Sequence, residues 1–104
     1  DASTVYGAEA AYLIILDSYD KGEFEAVETK VYAFSDAGTG QMYWLAKSFI
    51  VLGDSFVERG EYEQAKATFE SVRDGYTPSG NDDDVLDNVN IRLKKLAELM
   101  AEEI

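Results

Sequence analysis

One phrase is written twice in this chain. Lys21-Gly22-Glu23-Phe24-Glu25-Ala26 returns 38 residues later as Arg59-Gly60-Glu61-Tyr62-Glu63-Gln64. The neighbourhood repeats with it. At the same offset Ala8 matches Ala46, Tyr12 matches Ile50, Leu13 matches Val51, Val27 matches Ala65 and Val31 matches Phe69. A fixed period of this length marks stacked supersecondary units, each burying its apolar face against its neighbour. With 104 residues in all, the period leaves room for two units and a remainder within a single domain.

The units read as helical. Glycine clusters cut the chain at Gly22, at Gly38 and Gly40, at Gly60, and between Gly75 and Gly80. Glycine is the residue expected just past a helix, where the chain turns through positive φ. The pieces between run roughly 12 to 20 residues, which is helix length. The first carries Ala8, Ala11, Tyr12, Ile15 and Tyr19 at helical spacing, and the third Tyr43, Ala46, Ile50, Gly53 and Val57. Phe49, Leu52 and Phe56 add a second stripe to the third piece, so it is expected to lie between neighbours. The second (Phe24, Val27, Val31, Phe34) and fourth (Tyr62, Ala65, Phe69, Val72) are one-sided. The fifth opens with Asn81-Asp82-Asp83-Asp84, read as capping groups for a helix N-terminus, and continues Val85, Val89, Leu93, Leu96, Met100. No piece alternates as a half-buried strand does. Five helices and no sheet are predicted.

The second unit resembles a tetratricopeptide repeat, whose pattern is W-x2-L-G-x2-Y, then A-x3-F, then P. Here stand Phe49-x2-Leu52-Gly53-x2-Phe56, then Ala65-x3-Phe69 and Pro78. Gly53 and Ala65 are small where paired helices approach closely, and Tyr62 and Phe69 fill the crevice. The first unit is a degenerate copy, with Ile15 at the small position and extra residues expected in Asp36 to Gly40. The resemblance implies an all-α, right-handed α-solenoid of two hairpins, at about 8–40 and 46–78. A capping helix at about 82–103 would close it. Phrases such as Tyr43-Trp44-Leu45-Ala46-Lys47-Ser48-Phe49 are also similar to repeat modules of bacterial envelope proteins, which implies an envelope or periplasmic setting. The chain begins with Asp1 and not Met, and is read as a piece of a longer repeat protein with no signal peptide in it.

Composition narrows the function. There is no cysteine and no histidine, so thiol chemistry, zinc–thiolate sites and the commonest general base are absent. Ser48, Ser55 and Ser71 therefore have no histidine to activate them. Asp82, Asp83, Asp84 and Asp87 lack the alternating oxygens, central glycine and distal glutamate of a calcium loop. No enzyme, metal or cofactor is expected. A net charge of −12 opposes nucleic acid and anionic membrane surfaces. The longest apolar run, Ala10 to Leu16, is too short to span a bilayer.

In the family that the chain resembles, the first helix of each pair lines a concave groove that holds an extended or helical peptide. The matching positions are Glu9, Tyr12, Leu16 and Tyr19 in the first unit and Lys47, Ile50, Asp54 and Val57 in the second. The family's clamp for terminal carboxylates uses Lys, Arg and Asn, and here only Lys47 is cationic. The resemblance thus implies an apolar-anchored peptide or partner helix. The alternative is a structural or self-associating segment of a larger repeat protein.

Overall fold

In a computed structural model, which describes residues 1–103, the chain forms five α-helices. They are α1 (Val5–Asp20), α2 (Phe24–Asp36), α3 (Met42–Glu58), α4 (Tyr62–Gly75) and α5 (Val85–Glu102). No strand occurs among the described residues. The N-terminus of α1 is capped by the Thr4 hydroxyl, which accepts the Gly7 N–H at 3.0 Å.

The doubled phrase produces two copies of one turn. Gly22 closes α1 at φ 76° and Gly60 closes α3 at φ 73°, the left-handed region that only glycine enters without strain. Gly22 N–H donates to Tyr19 O at 2.9 Å, and Gly60 N–H to Val57 O at 3.0 Å. Glu23 N–H reaches back to Ser18 O at 2.9 Å, and Glu61 N–H to Phe56 O at 2.8 Å. Glu23 and Glu61 then enter the next helix at φ −88°, ψ 68° and φ −90°, ψ 68°. Each bond in one turn has its counterpart 38 residues away in the other.

The second helices of the pairs repeat as closely. α2 buries Val27, Val31 and Phe34, and α4 buries Ala65, Phe69 and Val72, the same three positions at the same offset. Against α4, Gly53 is required by contact. A β-carbon there would overlap the Phe69 ring, 2.6 Å from Cζ and 2.8 Å from Cδ1. The first unit places Ile15 opposite Val31 at these positions, both buried. Small against large in one pair becomes large against small in the other, which is how a seam keeps its volume.

Each helix packs only on its first or second neighbour along the chain. α1 meets α2 and α3, α2 meets α3, α3 meets α4 and α5, and α4 meets α5. The result is elongated, 45 × 31 × 20 Å. Helix α3, touched by all the others, buries Ala46, Ser48, Ile50, Val51, Leu52, Gly53, Ser55 and Phe56. Its two buried serines turn inward on their own helix: Ser48 Oγ donates to Trp44 O at 2.8 Å and Ser55 Oγ to Leu52 O at 3.0 Å. Between the units, Thr39 is buried and its hydroxyl donates to Ala2 O at 2.6 Å, tying the first residues to the linker.

The capping oxygen expected from the acidic start of α5 comes from Asp83, which accepts the N–H of the first helical residue. The helix begins at Val85, and the Asp84 side chain makes no cap bond. Asp83 does the local work instead. It accepts from Val85 N–H and Ser79 N–H, each at 2.9 Å, and from the Tyr76 hydroxyl, so one carboxylate organises the whole 76–84 loop. Asp84 turns to α3, accepting from Tyr43 Oη at 2.8 Å and Lys47 Nζ at 3.0 Å.

Candidate functional site

Alternate helices α1, α3 and α5 border a cleft of about 360 Å³. Tyr19 contributes from α1, Asp54 and Val57 from α3, and Ile91, Arg92, Lys95 and Leu99 from α5, with Phe69 of α4 at its back. Its lining is mainly apolar, and Ile91 stands 66% exposed at its edge.

Two ion pairs link α3 to α5 and to the residue just before it, one of them inside the cleft. Arg92 Nε donates to Asp54 Oδ1 at 2.8 Å, and Lys47 Nζ to Asp84 Oδ2 at 3.0 Å. Burial pushes the Asp54 carboxyl above its usual range, even though the Arg92 guanidinium pulls it back down. Asp84 is held below that range, chiefly by the hydrogen bonds from Lys47 and Tyr43. Burial pushes the Asp83 carboxyl up, but the bonds from Tyr76, Ser79 and Val85 together outweigh it and hold it low. The Tyr76 phenol is correspondingly pushed up to about 12, by burial first and by Asp83 next.

Of the eight positions expected to face a groove, Tyr19, Asp54 and Val57 meet in this cleft. Tyr19 is partly buried, its ring against Phe24 at 5.6 Å and its hydroxyl 3.5 Å from Glu58 Oε1. Burial raises its phenol, as do the charges of Asp54 and Glu58. Tyr12 lies further along, its ring 5.4 Å from Trp44. Leu16 is half-buried and packed on the core, and Glu9 is half-exposed on the same helix, outside the cleft. Lys47 is spent on Asp84 and lies 5.7 Å over the Tyr43 ring. Ile50 is the correction. It is only 5% exposed and belongs to the core, because α3 has neighbours on both sides where α1 has them on one.

The α5 residues Ile91, Arg92, Lys95 and Leu99 were not anticipated, because a charged final helix reads as a solvating cap. The 38-residue period gives no signal for them: its steps run from the buried Ile15 through the buried Gly53 to the exposed Ile91, so α5 does not keep the register of α1 and α3. Among the described residues no group of three or more acidic side chains converges as a metal would need, and no helix is long and apolar enough to cross a membrane. No family model matches the chain, and no curated protein or solved structure does either.

Proposed function

We propose that the chain is a tetratricopeptide-like module, a right-handed solenoid of two hairpins with α5 as a third stacked helix, that binds an apolar-anchored peptide or helix of a partner protein. The cleft shared by α1, α3 and α5 carries this reading. Its apolar lining includes the exposed Ile91, and Lys95 at its rim offers a cation to an acid beside the anchoring side chain. The duplicated turns and the neighbour-only packing support the repeat assignment. The lack of histidine and cysteine supports binding over catalysis.

Leu16 and Val57 are half-buried and packed on the core, so acidic replacements there would unsettle the fold as well as the cleft. Ile91 and Lys95 are the cleaner probes. The test selects peptides from a displayed random library against the chain and measures the tightest by fluorescence anisotropy. Ile91→Asp should weaken binding at least tenfold with melting nearly unchanged, as loss of an interface anchor does. Selection of no peptide, or of peptides indifferent to Ile91→Asp and Lys95→Glu, would refute the proposal.

A further inference from the structure

Glu58, the last residue of α3, is exposed and follows Val57 of the cleft. Its Oε1 lies 3.5 Å from the Tyr19 hydroxyl, so the carboxylate stands at the cleft's mouth between α1 and α3. Asp20, the last residue of α1, follows Tyr19 and is exposed too. Two helices thus end at this mouth with their negative poles, and neither has a base in its last turn. The positive poles of α2 and α4, which start from the same turns, meet Glu25 and Glu63 in their own first turns. The repeated turn does set a cation just past α1 and just past α3, but both are drawn away. Lys21 turns back to Asp17 at 2.9 Å, and Arg59 pairs with Glu28 at 3.0 Å and Glu61 at 3.5 Å, toward α2 and α4. Across the cleft, Arg92 is held by Asp54, and Lys95 stands on the α5 rim. Among the described residues neither Glu58 nor Asp20 has a cationic partner. The charge of Glu58 also reaches inward: burial is the first cause raising the Tyr19 phenol and the Asp54 carboxyl, and Glu58 adds to both.

We propose that the cleft takes a partner segment carrying an arginine or lysine beside its apolar anchor, with the anchor against Val57, Phe69 and Leu99 and the cation held by Glu58 at the α1–α3 mouth. This rests on the peptide-binding reading above and fixes the chemistry of the ligand. Charge complementarity chooses the occupant. A segment with no base would cover the mouth and leave Glu58 without a partner, and an acid placed there would meet Glu58, Asp20 and two helix C-termini. The Tyr19 ring, packed on Phe24 at 5.6 Å, offers the same cation an aromatic face. Lys95 sets the opposite preference on the α5 rim, so the segment's polarity across the cleft is fixed: base toward α1 and α3, acid toward α5. A chain at −12 also attracts cationic segments without regard to place, so the mouth has to be separated from the net charge.

The test reads the peptides selected from the displayed random library, with binding measured by fluorescence anisotropy in about 150 mM salt to screen distant charges. Arg or Lys should be enriched within about four residues of the apolar anchor, one helical turn. In the tightest peptide, replacing that base by glutamate should weaken binding about tenfold, and Glu58→Lys should do the same to the original peptide. Combining the two changes should recover most of the loss, because the charges are then exchanged. Asp36→Lys, at the exposed acid that ends α2 outside the cleft, makes the same change in net charge and should cost less than about threefold. Peptides that depend on Ile91 but carry no base near the anchor would overturn this inference and leave the peptide-binding reading standing. So would binding unchanged by Glu58→Lys, equal losses from Glu58→Lys and Asp36→Lys, or an exchange of charges that recovers nothing. Selection of no peptide at all would refute both.

Discussion

Replacing Gly53 by alanine should destabilise the protein, although alanine is the better helix former. In an open helix the change would stabilise by about 1 kcal/mol. Here the new β-carbon overlaps the Phe69 ring, with Cζ at 2.6 Å and Cδ1 at 2.8 Å. Phe69 is 1% exposed, so its ring can yield only toward the cleft that it backs. Overpacking of a tight seam costs about 1–3 kcal/mol, and a clash with so buried a ring belongs near the top of that range. Set against the propensity gain, a net loss of about 2 kcal/mol is expected, or roughly 10 °C in melting temperature for a domain of this size. Urea unfolding followed by far-ultraviolet circular dichroism reads it directly. The cause is then isolated by a double-mutant cycle with Phe69→Val, which places at Phe69 the residue that the first unit carries at Val31. Phe69→Val alone leaves a cavity costing about 2–3 kcal/mol. The double variant should lose at least 1 kcal/mol less than the sum, because the methyl enters space that the ring has left. A Gly53→Ala protein more stable than the original, or strictly additive losses, would mean that the α3–α4 seam is not set by this contact.

Three further outcomes are expected. Ala65→Leu, at a fully buried position of α4, should cost about 1–3 kcal/mol in urea unfolding; no change would place Ala65 off the seam. Asp83 and Asp84 titrate below the ordinary aspartate value of 3.8 in the folded chain, so their contribution is present above that value and lost as pH falls through the lowered ones. Asp54 is shifted upward, so its contribution is present at low pH and lost as pH rises through its raised value. Asp83→Asn should therefore flatten the acid limb of a melting-temperature profile, and an unaltered limb would contradict the role given to the 76–84 loop. Lys47→Met removes one of the two charge links between α3 and α5, and amide exchange in α5 should quicken ahead of that in α2 and α4; uniform exchange would show that α5 is held by its apolar contacts alone.

Local rules made much of this fold legible. Gly22 and Gly60 at positive φ, and Val27, Val31 and Phe34 matched by Ala65, Phe69 and Val72, follow from spacing and turn chemistry that act within a few residues. What escaped depends on distant stacking. Ile50 shares its register with Tyr12, but α3 has helices on both sides, and a helical wheel does not count neighbours. Asp83 was read as a cap by its place before a helix; its bonds to Tyr76 and Ser79 depend on a loop that folds back on itself. Arg92 and Lys95 stand on a helix expected only to cap the array; that Arg92 pairs with Asp54 depends on how α5 stacks on α3. Thr39 was hidden in a glycine-rich linker, where nothing in the local text marks a buried hydroxyl that holds Ala2.

The proposed peptide site spans α1, α3 and α5. Amide chemical-shift mapping of the labelled chain, titrated with the tightest selected peptide, shows whether it does. The predicted result is a contiguous set of shifts centred on Tyr19, Val57, Ile91, Lys95 and Leu99, with α2 nearly silent. Shifts gathered on α2 and the outer side of α4, or confined to the outward face of α1 around Leu13 and Ile14, would contradict it.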